Sequence, residues 1–129
     1  MMGDPFGGME IEKGVLKITH EGGSSWKWWH TDKYRFDGKE FRLIGYVSNA
    51  GKICEYWKDV DFNLVTGTVV VKKEYERCEK DSQEIYRREN ETFIKKGISI
   101  TLQNRRSQEI KITSPRYKHD IYVALKMED

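Results

Sequence analysis

Apolar and polar residues alternate in short runs through most of this sequence, and the runs break at Lys13-Gly14, Asp37-Gly38 and Thr66-Gly67. A period of two sends successive side chains to opposite faces of an extended chain, and a glycine at each break supplies the turn. The pattern therefore dictates antiparallel hairpins rather than helices. The only prolines, Pro5 and Pro115, stand near the ends, so no strand between them lacks an amide donor.

Turn chemistry sets an expected register for each hairpin. A two-residue turn at Lys13-Gly14 pairs Ile11 with Leu16 and Met9 with Ile18, placing both apolar pairs on one face. A turn at Asp37-Gly38 pairs Tyr34 with Phe41, Asp32 with Leu43, His30 with Gly45 and Trp28 with Val47. Trp26, Trp28, Tyr34 and Phe36 then share a face with Phe41, Leu43 and Val47, while Ile44 and Tyr46 point the other way. Gly45 either makes room for a bulky neighbour or marks a bulge.

The third hairpin, Ile53–Leu64 with Thr68–Arg77, offers two registers. An even loop pairs Phe62 with Val69, Val60 with Val71 and Tyr56 with Tyr75. A three-residue loop would instead join Cys54 to Cys78 but set Val60 against Lys72. Burial is worth about 1.5–3 kcal/mol per large side chain, and a disulfide contributes a similar few kcal/mol only once. The even register wins, with the sulfurs expected on opposite faces, which speaks against a bond between them; a bulge before Cys78 would reverse this. Residues 79–96 fit either a helix capped by Ser82 or, preferably, a strand near Gln83–Arg88. Beyond Gly97, Ile98–Leu102 and Glu109–Thr113 flank a polar loop at Asn104–Gln108, and Ile121, Val123, Leu125 and Met127 alternate in a last strand.

Residues 1–129 thus read as one all-β domain of eight to ten strands and at most one short helix, an antiparallel sandwich or partly open barrel. No cofactor motif is present: phosphate loops, G-x-G-x-x-G and G-x-S-x-G are absent. Two cysteines without CxxC spacing cannot form a structural zinc site. The net charge of +2 gives no strong field for nucleic acid or anionic membrane, and no apolar run approaches the roughly 20 residues of a membrane span. No charged and then apolar leader opens the chain.

Candidate sites are few. In Trp26-Lys27-Trp28-Trp29-His30, alternation turns Trp26 and Trp28 inward and Trp29 outward. Large aromatics usually fill interiors, so Trp29 carries the case for a sugar-stacking platform. Trp57, sharing its strand face with Asp59 and Asp61, is the second candidate for a polar ligand. Asp59-x-Asp61-x-Asn63 is not a calcium loop, because Leu64 replaces the glycine and Val70 the final glutamate. His30 and Asp32 lie two apart on one face, as a general base and its orienting carboxylate would. The expected register sets no nucleophile beside them, so a structural pair is preferred and no catalytic residue is assigned. A metal site from His20, His30 and Asp32 would need the first two hairpins adjacent. Arg87-Arg88 and Arg105-Arg106 read as solvated surface.

The runs Asp4-Pro5-Phe6-Gly7-Gly8, Gly14-Val15-Leu16-Lys17-Ile18-Thr19-His20 and Gly22-Gly23-Ser24-Ser25-Trp26-Lys27-Trp28 resemble the C-terminal part of uncharacterised exported bacterial proteins. Tyr34-Arg35-Phe36, Leu43-Ile44-Gly45-Tyr46 and Asp61-Phe62-Asn63-Leu64-Val65-Thr66-Gly67 continue the likeness over about the first 70 residues. The resemblance implies export to the periplasm, cell envelope or exterior, with an upstream region missing here, and it brings no assigned activity. The expectation is a non-catalytic binding or structural domain with a glycan or protein partner. The alternatives are a carbohydrate- or small-ligand-binding module built on exposed tryptophan, and an enzyme centred on His30 and Asp32.

Overall fold

The computed structural model describes residues 6–104 and 110–123, and among them all regular structure is strand. Seven strands form one antiparallel meander in chain order: β1 (Phe6–Glu12), β2 (Val15–Gly23), β3 (Lys27–Phe36), β4 (Phe41–Lys52), β5 (Tyr56–Asn63), β6 (Thr68–Glu79) and β7 (Ser82–Ile94). A separate hairpin, β8 (Ile110–Thr113) with β9 (Asp120–Val123), packs on one side, called here the inner face. The sheet stays open, since β1 and β7 each pair with one neighbour only. The all-β expectation holds, and within 79–96 the strand reading stands, with β7 covering Ser82–Ile94 rather than only Gln83–Arg88. Asp4-Pro5, Arg105-Arg106, Leu125 and Met127 lie outside the described residues.

The first and third hairpins take the expected registers. Ile11 pairs with Leu16 and Met9 with Ile18, while Phe62 pairs with Val69 and Tyr56 with Tyr75. Burial did not fix the first one, however: Ile11 is 70% and Met9 60% exposed, because β1 is an edge strand beyond the reach of the covering hairpin. Lys13 and Gly14, both at positive φ, set that turn.

The second hairpin corrects the sequence reading. Its loop has four residues, closed by Asp37, whose Oδ1 accepts from the amides of Lys39 (3.0 Å) and Glu40 (2.9 Å). Phe36 therefore pairs with Phe41 and Tyr34 with Leu43. Lys33 then pairs with Gly45, so Ile44 is an extra residue on β4 and the register shifts there. The expectation that Trp28 and Val47 share a face is overturned. Trp28 pairs with Ala50, Val47 pairs with Thr31, and the two stand on opposite faces. Trp26 and Trp28 do lie on the inner face but at its open end, 45% and 37% exposed, rather than in the core.

Cross-strand rows on the inner face grade from apolar to charged. Leu16, Tyr34 and Leu43 form one row; Ile18, Asp32, Tyr46, Phe62, Val69 and Phe93 form the next. Ile112, Ile121 and Val123 of the hairpin, with Ile100 from the preceding segment, close over this end. That segment lies beside the first residues of β4, ahead of the β4–β5 ladder, with the Leu43 amide donating to Ile100 O (2.8 Å) and the Leu102 amide to Phe41 O (2.9 Å). The third row is His20, His30, Ser48, Val60, Val71 and Glu91; the fourth is Trp28, Ala50, Lys58, Lys73 and Glu89.

The cysteines supply the second correction. The even register stands, yet Cys54 and Cys78 are bonded, with Cα atoms 5.3 Å apart. The alternation argument ended too late: Cys54 lies in the turn before β5, at φ 71°, so strand parity does not govern its side chain. Loop-closure entropy for a separation of 24 residues corresponds to about 3 kcal/mol. Denatured, unreduced monomer should therefore show no titratable thiol, and Cys54→Ser with Cys78→Ser should lower the denaturant midpoint accordingly. Two free thiols in the native chain would contradict the bond.

Candidate functional site

The polar half of the inner face is not tightly closed by the hairpin. A cleft of about 260 Å³ remains between β3, β4 and β5 on one side and Asp120–Tyr122 of β9 on the other. From the sheet it is lined by Trp28, His30, Tyr46, Ser48, Tyr56 and Lys58. These positions alternate along their strands, so backbone register alone brings them together.

Asp32 organises the inner end. It is 2% exposed, accepts from the Tyr34 hydroxyl (3.1 Å) and lies 3.2 Å from His30 Nδ1. The tautomer that carries its proton on Nδ1 would donate it to the carboxylate and present Nε2 as an acceptor. The His30 ring is held between aromatic neighbours: His20 at 5.1 Å, Tyr46 at 5.6 Å and Trp28 at 5.9 Å between centroids. The expected His30–Asp32 pair is thus present. The register also places Ser48 opposite His30, a serine that the sequence-based register missed because it lacked the Ile44 bulge. No hydrogen bond joins Ser48 to His30 among the described residues. β2 and β3 are adjacent, as a His20–His30–Asp32 metal site requires, but no group of three such ligands in metal-binding geometry occurs among the described residues.

The outer end is built on charge. Lys58 Nζ donates to the Asp120 carbonyl of β9 at 2.5 Å. Burial depresses its pKa, the charge of neighbouring Lys73 adds to this, and Asp120 opposes it. Lys73 lies over the rings of Tyr56 (4.2 Å) and Tyr75 (4.7 Å). Farther along, Glu91 clamps the turn between β8 and β9 by accepting from the amides of Arg116 (2.5 Å) and Tyr117 (3.3 Å). Glu89 accepts from Tyr75 and Arg87 and stands 3.2 Å from His119 Nε2, without hydrogen-bond alignment.

The four residues singled out from the sequence share the opposite, outer face but do not converge. Trp29, Asn49 and Asp59 form one cross-strand row, in which Asn49 donates to Asp59 Oδ1 at 2.5 Å. Trp57 is half-buried against Gly51, where a Cβ would come within 2.6 Å of its ring. Its indole N–H is taken by Glu76 Oε1 (3.1 Å), which also accepts from the Cys54 amide (3.2 Å), so Trp57 braces the turn carrying the disulfide. Asp61 lies between Val47 and Val70. Asn63 caps its turn by accepting from the Val65 and Thr66 amides. A second hollow, about 580 Å³, is an open trough on this face bordered by Gly7, Gly8, Lys17, Lys33 and Trp29. It is larger than the cleft but lacks opposed walls, so the cleft is the better-built site. Trp29 lines the cleft as well.

The chain matches no protein-family model, no curated protein and no solved structure. No helix among the described residues is long and apolar enough to cross a membrane.

Titration of the clamp gives a defined pH response. Burial, with the charges of Lys58 and Lys73, holds the His119 pKa below its ordinary 6.5 against the pull of Glu89 and Glu91. Burial raises Glu91, but hydrogen bonds from Ser114 and the Arg116 and Tyr117 amides outweigh it and hold the carboxyl below 4.5. Burial likewise raises Glu89, and Arg87 and Tyr75 bring it below 4.5. All three groups bind protons more weakly in the folded state, so stability falls with falling pH. The melting temperature should decline first as pH drops below about 6.5, from His119, and again below about 4.5, from the carboxylates. His119→Gln should remove the first decline and leave the second. Glu91→Gln should cost about 1–3 kcal/mol at neutral pH by weakening acceptance of two amides. A melting temperature constant from pH 7 to 5 in the unsubstituted protein would contradict the assignment.

Proposed function

We propose that this chain is a non-catalytic binding module of an exported bacterial protein, and that the cleft between the inner face and β9 holds a hydroxylated ring such as a sugar. The observation that carries the reading is the lining itself: Trp28 and Tyr56 offer ring area beside His30, Ser48 and Lys58, which offer hydrogen bonds. Sugars bind through this combination, stacking their C–H faces on aromatics while edge hydroxyls meet polar groups. The Cys54–Cys78 bond supports an oxidising compartment, in agreement with the resemblance of the first 70 residues to exported proteins. The missing Ser48–His30 hydrogen bond favours binding over catalysis.

Intrinsic tryptophan fluorescence titrated with a glycan panel tests this directly, because Trp28 lies in the cleft wall. A saturable change is expected with at least one glycan. Trp28→Ala should weaken binding by about tenfold or more, in line with the loss of one stacking platform. Asp61→Asn, on the outer face, should bind as the parent does. A folded sample that responds to no glycan, or Trp28→Ala that binds unchanged, would refute the cleft as the site.

A further inference from the structure

The inner face continues beyond the cleft into a fifth row that the hairpin leaves uncovered. Lys52 on β4, Tyr56 on β5, Tyr75 on β6 and Arg87 on β7 stand side by side, and Trp26, just before β3, joins its ring to Tyr56. Ring centroids are 5.2 Å apart from Trp26 to Tyr56 and 6.3 Å from Tyr56 to Tyr75. Cations sit over these rings: Lys52 over Trp26 at 5.8 Å, Lys73 over Tyr56 and Tyr75 at 4.2 and 4.7 Å, and Arg87 over Tyr75 at 5.7 Å. Five strands at a spacing of about 4.8 Å make the row roughly 19 Å long. Tyr56 belongs both to this row and to the cleft wall, so the two surfaces are continuous.

We infer that this aromatic–cation row is the docking surface for an acidic oligosaccharide, a carboxylated or sulfated sugar chain whose one end enters the cleft. The inference rests on the sugar-binding reading of the cleft and specifies the class of ligand. Charge complementarity selects the acid: among the described residues neither Lys52 nor Lys73 is ion-paired, and both ammonium groups are held over ring faces, Lys73 even with Glu89 beside it on the ladder. Rings and cations interleaved along one line suit a polymer that presents C–H faces and anionic groups in turn. A nucleic acid strand would also offer rings and charge. The carboxylate of Glu89 beside the row, and a net charge of only +2, disfavour a phosphodiester backbone, whereas a sugar hydroxyl can donate to that carboxylate.

Titration of the intact chain with three oligomers of matched length separates the outcomes: a neutral oligosaccharide, a uronate or sulfated oligosaccharide, and single-stranded oligothymidylate. The acidic oligosaccharide should bind at least about tenfold more tightly than the neutral one near 50 mM salt, and the advantage should shrink toward about 0.5 M. Lys52→Gln and Lys73→Gln should each lower the acidic ligand's affinity several-fold. Lys52→Gln should leave binding of a neutral sugar in the cleft unchanged, which also shows that the variant is folded. Equal affinity for neutral and acidic oligomers would overturn the inference while leaving the cleft reading intact. Preferred binding of oligothymidylate would overturn it in favour of nucleic acid. No binding of any sugar would remove both readings.

Discussion

Ile44 determines which side chains can meet on the inner face. It stands on β4 without a counterpart on β3, and its carbonyl accepts from the Leu64 amide on the other side. One extra residue reverses the parity of every position that follows it on the strand. Tyr46, Ser48, Ala50 and Lys52 therefore face inward together with Trp28, His30 and Asp32. Without the bulge, Val47 and Asn49 would take those places, and the cleft would lose its tyrosine and serine. Gly45 tolerates the distortion beside Lys33, whose side chain would lie only 3.3 Å from a Cβ at that position.

Covering the inner face divides it in two. The β8–β9 hairpin contributes Ile112, Ile121 and Val123 to the apolar rows, and these fix it in place. Over the polar rows it is held differently, by Glu91 on its turn amides and by Lys58 on the Asp120 carbonyl. An apolar seam is indifferent to pH, whereas the clamp weakens as protons bind. The hairpin is thus anchored by packing at one end and by ionisable groups at the other, and the cleft opens on the polar stretch.

Local signals were legible in the sequence and long-range shifts were not. Lys13-Gly14 and the valines of 69–71 gave registers that the structure reproduces, because turn length and apolar pairing agreed. Asp37-Gly38 misled because Asp37 closes a four-residue loop through its carboxylate, and the same two letters also serve a two-residue turn. A bulge leaves only a weak mark: Gly45 hinted at it, but nothing in the residue types said that Ile44 would go unpaired. Cys54 escaped for a related reason, since alternation describes strands and Cys54 belongs to a turn. Alternation put Trp57, Asp59 and Asp61 on one strand face, and the register adds Trp29 to it. Yet exposure inferred from alternation could not show that the Trp57 N–H is consumed by Glu76. The cleft residues Trp28, Tyr46, Ser48, Tyr56 and Lys58 come together only through the bulged register.

The proposed binding role rests on the polar half of the inner face. Lys58 opposite Lys73 sets like charges directly across a ladder, an arrangement that opposes folding. Two apolar residues there would have extended the core toward β9. Retaining both cations on the side that faces the hairpin gives up stability that burial could have supplied. The same applies to Trp28 and Tyr56, which keep ring area in contact with water. Exposed rings and like-charged lysines on one continuous surface are costs, and the acidic sugar chain proposed above would offset both by stacking on the aromatics and lying between the ammonium groups.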